Sequence, residues 1–202
     1  MAFVCGIDEA GRGALFGPLV VAGCVVRSNF YLEGLNDSKV LSPQKRLQLF
    51  HQILLTSEDY YWIFIGPRRV EKFNILNCSI HGFRICIKKL LAETYIVDGP
   101  YKPEGLKQNI FATPKADRIY PAVMCASIIA KVVRDSIISW LSERYPVYCL
   151  EENKGYPTET HRLALLKHGR SALHRKNFSF SKERKKTLFD KLESEYKGEL
   201  LL

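Results

Sequence analysis

Two rhythms of apolar and polar positions run through the chain. Phe3 to Ile7 is a short apolar run that meets Asp8 and Glu9 at once, the pattern of a buried strand closed by an acidic pair. A glycine-rich turn follows from Gly11 to Pro18, and Leu19 to Val26 forms a second, β-branched strand; the turn suits a hairpin with irregular backbone. Ser42 before Pro43 sets an N-cap and N1, predicting a helix to about Leu55. Tyr60 to Ile65 predicts a strand. Residues 70 to 92 predict helix in two pieces around Asn74 and Asn77, with Ile80, Phe83, Ile87 and Leu91 at helical spacing. Thr94 to Val97 predicts a strand that delivers Asp98.

Residues 99 to 120 read as loop, with a short strand near Asn109 to Thr113. Pro121 opens a long helix to about Arg144, with Val123, Ala126, Ile129, Val133 and Ile137 on its apolar face. A polar stretch runs from Pro146 to Thr158, then a helix from Glu159 to Lys167 stopped by Gly169. The tail from Ser181 to Tyr196 reads as a charged helix packing through Leu188, Phe189 and Leu192. Strands come early and helices late, with helices also between strands. That order predicts an α/β fold, a mixed sheet with helices on its faces. The expected division is one catalytic unit over residues 1–202, with a core to about 145 and a helical C-terminal cap from about 146 that helps bind substrate.

Composition narrows the class. With 202 residues and 47% hydrophobic content the chain can bury a core without cross-links, and disorder is excluded. The net charge of +9 favours a polyanionic partner or an anionic surface. From Lys154 onward, twelve Lys and Arg stand against six Asp and Glu, so the C-terminal third is the expected electrostatic footprint. None of the six cysteines forms a CxxC pair, which argues against zinc, and most sit in apolar runs where a thiol acts as a small hydrophobe. No targeting segment or membrane-length apolar run is evident, and the expected setting is cytoplasmic.

Carboxylates gather at predicted strand ends: Asp8 and Glu9 after the first, Asp98 after the fourth. Crowded like charges repel, and hard divalent cations with oxygen ligands offset that repulsion. Each acid alone also reads as a turn or cap residue, Asp98 in VDGP and Asp117 in PKAD especially. Neighbours on a strand face opposite ways, so Asp8 and Glu9 share a pocket only if the turn or a bound ion brings them together. Gly11–Arg12–Gly13 can offer backbone amides and a positive charge to a phosphate or sugar hydroxyl, or be a plain flexible turn.

Five blocks, taken together, resemble ribonuclease HII: CGIDEAGRGALFGPLVVAG from Cys5, NDSKVLSPQKR from Asn36, VDG from Val97, KADRIYPAVMCASIIAKVVRD from Lys115 and NKGYPTETHRLALLKHGRSALHRKNF from Asn153. They run in the family's order over residues 5 to 178. The resemblance implies an RNase H-like fold with a mixed five-stranded sheet. It implies a metal-dependent endoribonuclease that hydrolyses the RNA strand of RNA–DNA hybrids and incises 5' of single ribonucleotides in duplex DNA, leaving 3'-hydroxyl and 5'-phosphate ends. It also implies two divalent ions, Mg2+ or Mn2+, on Asp8, Glu9, Asp98 and Asp117. Gly11, Arg12 and Gly13 would contact the ribose 2'-hydroxyl, Tyr156 would stack on the next sugar, and Lys39, Ser127 and Lys131 would lie near substrate phosphates. Ala14 stands where the family usually has proline and Phe16 where it has a small residue, which puts packing behind the glycine loop in question. The related ribonuclease HIII carries an extra N-terminal domain and a different motif at the GRG position, which favours HII. The expected partners are RNA–DNA hybrid and ribonucleotide-containing duplex, with the protein a monomer away from membranes; whether the tail recruits a replication partner stays open. A DNA-only nuclease would show no preference for ribose, a binding module would need no metal, and an interaction protein would use its acids only in turns.

Overall fold

The computed structural model describes residues 2–178. A five-stranded sheet of order β3-β2-β1-β4-β5 forms its centre, from β1 (Phe3–Ala10), β2 (Leu19–Arg27), β3 (Asp59–Ile65), β4 (Thr94–Asp98) and β5 (Ile110–Thr113). The short β1–β2 connection makes that pair antiparallel, and β3 continues the meander. The chain reaches β4 only through helices, a crossover long enough for parallel pairing with β1, and β5 joins β4 in parallel. The mixed sheet expected from the strand and helix order is therefore present.

The local signals explain most helix boundaries. Ser42 caps α1 (Pro43–Thr56) by accepting from the Lys45 amide at 3.2 Å, with Pro43 in the first turn. The next helical region starts three residues before the expected 70, at Pro67, and divides into α2 (Pro67–Phe73) and α3 (Ile75–Lys89). Asn74 makes the break: at φ 62° it ends α2, and its side chain accepts from the Asn77 amide at 2.9 Å to cap α3. Phe83 and Ile87 are buried as the spacing predicts, but Leu91 is 88% exposed. The helix has stopped at Lys89, and extended Leu90 turns inward in its place.

α4 (Pro121–Ser142) is two residues shorter than expected and buried around most of its N-terminal half, because it is wedged between the sheet and α1. A Cβ on Gly6 would lie 2.1 Å from the backbone carbon of Ala122, so β1 and α4 meet backbone to backbone and only glycine fits between them. One apolar layer joins Cys5, Ile7, Val21 and Val97 to α3; the other joins Val20, Ala22 and Cys24 to α1 and α4. Five of the six cysteines are buried and free; Cys149 is exposed.

Residues 146 to 158 are not the plain polar stretch expected. They hold a 3-10 turn at Pro146–Tyr148 and the short α5 (Leu150–Asn153), because Tyr148 and Leu150 bury their side chains while left-handed Cys149 and Lys154 make the corners. α6 (Glu159–His168) ends at Gly169, φ 72°, as expected. This C-terminal part packs on the β1–β2 loop through Phe16, Ile138, Tyr148 and Leu165. The helix expected over Ser181 to Tyr196 lies outside the described residues. Among those described, no helix is long and apolar enough to cross a membrane.

Candidate active site

Strand register builds the centre. β1 and β4 run parallel with Ile7 opposite Val97, so the next residues, Asp8 and Asp98, emerge side by side. Asp117 arrives from the 3-10 turn Ala116–Arg118 that precedes α4, and the Ala116 amide donates to Asp98 Oδ1 at 2.8 Å. One carboxylate oxygen from each of Asp8, Asp98 and Asp117 lies within 4.8 Å of the others. Glu9 is placed differently. β1 continues to Ala10, three residues beyond its expected end at Ile7, since Ala22, Val21 and Val20 go on pairing with Asp8, Glu9 and Ala10. Glu9 therefore sits inside the strand, outside the three-carboxylate group. Its Oε1 accepts from Arg12 Nη1 at 3.2 Å, and its buried Oε2 has no hydrogen-bond partner among the described residues.

The electrostatics of this group ask for a cation. Burial, then the charges of Glu9 and Asp98, push the Asp8 carboxyl well above its ordinary range, against the pull of the Ser127 hydroxyl and the Glu9 amide. Burial raises Glu9 to about 7, with Arg12 opposing and Asp98 adding. Asp98 is raised by burial and by Asp117. Lys39 Nζ donates to Asp117 Oδ2 at 2.7 Å, but its side chain is 68% exposed, so water screens this pair. Burial opposes the Lys39 charge, yet Asp117, Asp8 and Asp37 outweigh it and raise that amine. Three converging carboxylates and an orphaned buried carboxylate oxygen make a donor set suited to hard divalent ions.

The raised acids predict a pH dependence of stability. Burial holds the Glu9 carboxyl at about 7 in the folded chain, above the ordinary carboxylate range it returns to when unfolded. Its contribution is fully present below the unfolded value and is lost as pH rises through the folded one. In chelator-containing buffer, the melting temperature should fall by a few degrees as pH rises from about 5 to about 7. Glu9→Gln should flatten that fall. Parallel melting curves for the two proteins across this range would remove Glu9 as the cause.

A cleft of about 530 Å³ opens above the acids, lined by Asp8, Glu9, Gly11, Arg12, Gly13, Lys39, Asp98, Ser127, Lys131 and Tyr156, together with Ala10, Ser38 and Arg46. Ten of the eleven candidate residues share this wall. Asp117, almost fully buried, joins it through Lys39. Ser127 and Lys131 are one helical turn apart on α4. Ser127 Oγ lies 2.9 Å from Ser38 Oγ, and Lys131 Nζ donates to Asp135 at 2.9 Å while sitting 5.4 Å from the Tyr156 ring centre.

Four residues behind the cleft escaped the sequence reading. Arg134 and Arg175 are wholly buried, and the imidazoles of His161 and His174 meet Nε2 to Nε2 at 3.1 Å. Arg134 carried one signal: it falls on the stripe Val123, Ser127, Ala130, Arg134, Ile138 and Leu141, where a charge must find partners. It donates to the Pro18, Phe16 and Lys154 carbonyls at 3.0–3.1 Å, so α4 holds the glycine loop from beneath. At Gly11, φ 93°, a Cβ would lie 2.0 Å from Arg134 Nε. Ala14 and Phe16 are absorbed in the same packing. Both are fully buried, and the Phe16 ring makes edge contacts with Tyr145 and His174 at 5.4 and 4.9 Å.

The family model for Ribonuclease HII matches residues 5–181. The Ribonuclease HII of Borrelia hermsii is 38% identical over 180 residues, covering 88% of this chain and 99% of that protein. Among solved structures, the PCNA:RNase HII complex from Archaeoglobus fulgidus is similar at 30% identity and a TM-score of 0.76, covering 89% of this chain and 96% of the other. The ribonuclease H2 from Pyrococcus horikoshii is similar at 26% identity and 0.75, covering 93% and 99%.

Proposed function

The chain belongs to the ribonuclease HII family and is a ribonuclease H, and from that premise we propose that it incises 5' of single ribonucleotides embedded in duplex DNA as well as hydrolysing the RNA strand of hybrids. The products would carry 3'-hydroxyl and 5'-phosphate ends. The observation that carries this reading is the meeting of Asp8, Asp98 and Asp117 beneath a cleft walled by a glycine loop, two lysines and a tyrosine.

Asp8, Glu9, Asp98 and Asp117 would hold two divalent ions, Mg2+ or Mn2+. Such ions supply Lewis-acid stabilisation of phosphodiester charge and lower the pKa of attacking water. The chain's own groups do the selecting. Backbone amides of Gly11–Arg12–Gly13 donate to the 2'-hydroxyl, the group that separates RNA from DNA. Lys39 and Lys131 meet backbone phosphates as cations, and Ser127, one helical turn from Lys131, adds a hydroxyl donor. Tyr156 offers a ring to the adjoining deoxyribose. The part beyond about residue 145 contributes to substrate binding, and the enzyme acts as a monomer. The Archaeoglobus relative was solved with PCNA; a replication partner for this chain would fall on the tail, outside the described residues. The test is to incubate the protein with a duplex DNA carrying one ribonucleotide, with and without Mg2+, and map the cut. A cut 5' of the ribonucleotide only with metal is expected. Metal-independent cutting, or equal cutting of all-DNA duplex, would overturn the reading.

Net charge adds a second expectation. Lys and Arg that neutralise phosphates release counterions, so affinity for a hybrid should fall linearly on a plot of log K against log salt. With a net charge of +9 and a basic stretch from Lys154 onward, a slope of about −3 or steeper is expected. A slope near zero would exclude extensive phosphate contact.

A further inference from the structure

We propose that Arg175 is a positioning residue that aims the Arg12 and Gly13 amides at the ribose, an inference resting on the proposed role of that loop. Arg175 is fully buried and forms no salt bridge with a carboxylate among the described residues. Its guanidinium is spent on the glycine loop instead. Nη1 donates to the Gly11 carbonyl at 2.7 Å and the Arg12 carbonyl at 3.1 Å; Nε and Nη2 both donate to the Gly17 carbonyl, at 3.2 and 3.1 Å. Its own amide donates to Leu15 O at 2.8 Å. Burying a guanidinium is costly, and only a rigid planar fork can bridge both ends of a loop in this way. Burial and Arg134 lower Arg175 to about 10, which leaves it charged at neutral pH.

The direction of the amides follows from the peptide plane. Among the described residues every peptide bond is trans, so each C=O points opposite to the N–H that follows it. With the Gly11 and Arg12 carbonyls drawn down to Arg175, the Arg12 and Gly13 amides turn the other way, to the side where these residues line the cleft. A second observation points outward as well. A Cβ on Gly13 would meet nothing within 4 Å among the described residues, so none of these neighbours requires glycine there. Glycine leaves that space open to a ligand's close approach.

The test compares binding of a duplex with one ribonucleotide and an all-DNA duplex of the same sequence, in Mg2+, in an Asp98→Asn background that leaves the substrate intact. The parent should prefer the ribonucleotide duplex. Adding Arg175→Lys keeps the charge but replaces the fork with a single point; the preference should shrink about fivefold while all-DNA affinity stays. An unchanged preference would overturn the inference, and so would an equal loss on both duplexes with a lowered melting temperature, which marks a merely structural role. Arginine side-chain NMR on the Asp98→Asn protein gives an independent answer if the lysine variant does not fold. The Arg175 Nε–H and Nη–H signals should shift with the ribonucleotide duplex and not with the all-DNA duplex; identical spectra would overturn the inference. If the parent itself shows no preference, the proposed role of the loop has failed and this inference falls with it. If the parent discriminates and the lysine variant does so equally, only Arg175's part is lost.

Discussion

Asp98→Asn should reduce single-turnover cleavage of a hybrid by about a thousandfold or more, roughly 4 kcal/mol of transition-state stabilisation, without lowering the melting temperature. Asparagine keeps the shape and keeps an oxygen to accept from the Ala116 amide, the bond that ties the Asp117 turn to β4. What it removes is a charge that the folded chain holds unwillingly, since burial and Asp117 both raise the Asp98 carboxyl. Metal-free stability should therefore stay level or rise, the opposite of what deleting a structural ion pair would do. Hybrid binding, followed by fluorescence anisotropy, should survive because the cationic wall of Lys39, Arg46 and Lys131 is untouched. A variant that cuts within tenfold of the wild-type rate would show that Asp98 is no essential ligand. A variant that loses activity together with several degrees of stability would show that the residue is structural.

The parts of this site that were legible in the sequence are those set by local pattern. The paired strands, the Ser42–Pro43 start, the break at Asn74 and the stop at Gly169 follow from turn and cap chemistry within a few residues. Asp117, in the polar string PKAD, stood out only through the family resemblance, whereas the acids at 8, 9 and 98 stood out because charge ends apolar runs. The end of β1 was misjudged for the same reason. Its apolar pattern stops at Ile7 because the cleft begins there, while the ladder with β2 continues to Ala10. Leu91 was misplaced by extending a periodicity past the point where α3 ends. Arg175 could not be read at all: its acceptors at Gly11 and Arg12 lie 164 and 163 residues away and are backbone carbonyls, which leave no mark in a sequence. Gly155 shows the same limit. Its carbonyl accepts from the Leu15 and Phe16 amides at 2.8 and 3.2 Å and ties the C-terminal part to the glycine loop, a long-range pairing that the local string does not encode.

Tyr156→Ala should cost about 10- to 100-fold in cleavage of a duplex carrying one ribonucleotide, the range of one lost stacking contact, and distinctly less on a uniform hybrid. The ring lines the cleft with the Arg134 guanidinium 4.9 Å and the Lys131 amine 5.4 Å from its centre. Its backbone is fixed from both sides. The Tyr156 amide donates to Asn153 O at 2.9 Å, and its carbonyl accepts from the Thr158 amide at 2.8 Å and faces His161 Nδ1 at 3.0 Å. The histidine pair has a single consistent proton pattern. Ser171 N–H donates to His174 Nδ1 at 2.9 Å, so neutral His174 carries its proton on Nε2 and gives it to His161 Nε2; that leaves His161 Nδ1–H to donate to the Tyr156 carbonyl. Burial lowers both imidazoles, His174 to about 4, so the arrangement is neutral at working pH. A ring set in advance loses little entropy on stacking. The competing account is that Tyr156 only packs on Arg134 and Lys131, so that its loss loosens the protein. That account predicts a lower melting temperature and equal losses on every substrate. Tyr156→Phe separates the two further, since stacking needs the ring and not the hydroxyl, and should keep most of the wild-type rate. The measurement is single-turnover cleavage of both substrates at saturating Mg2+, beside a melting curve for each variant. Full activity of Tyr156→Ala on the single-ribonucleotide duplex would end the junction-reading role of this residue.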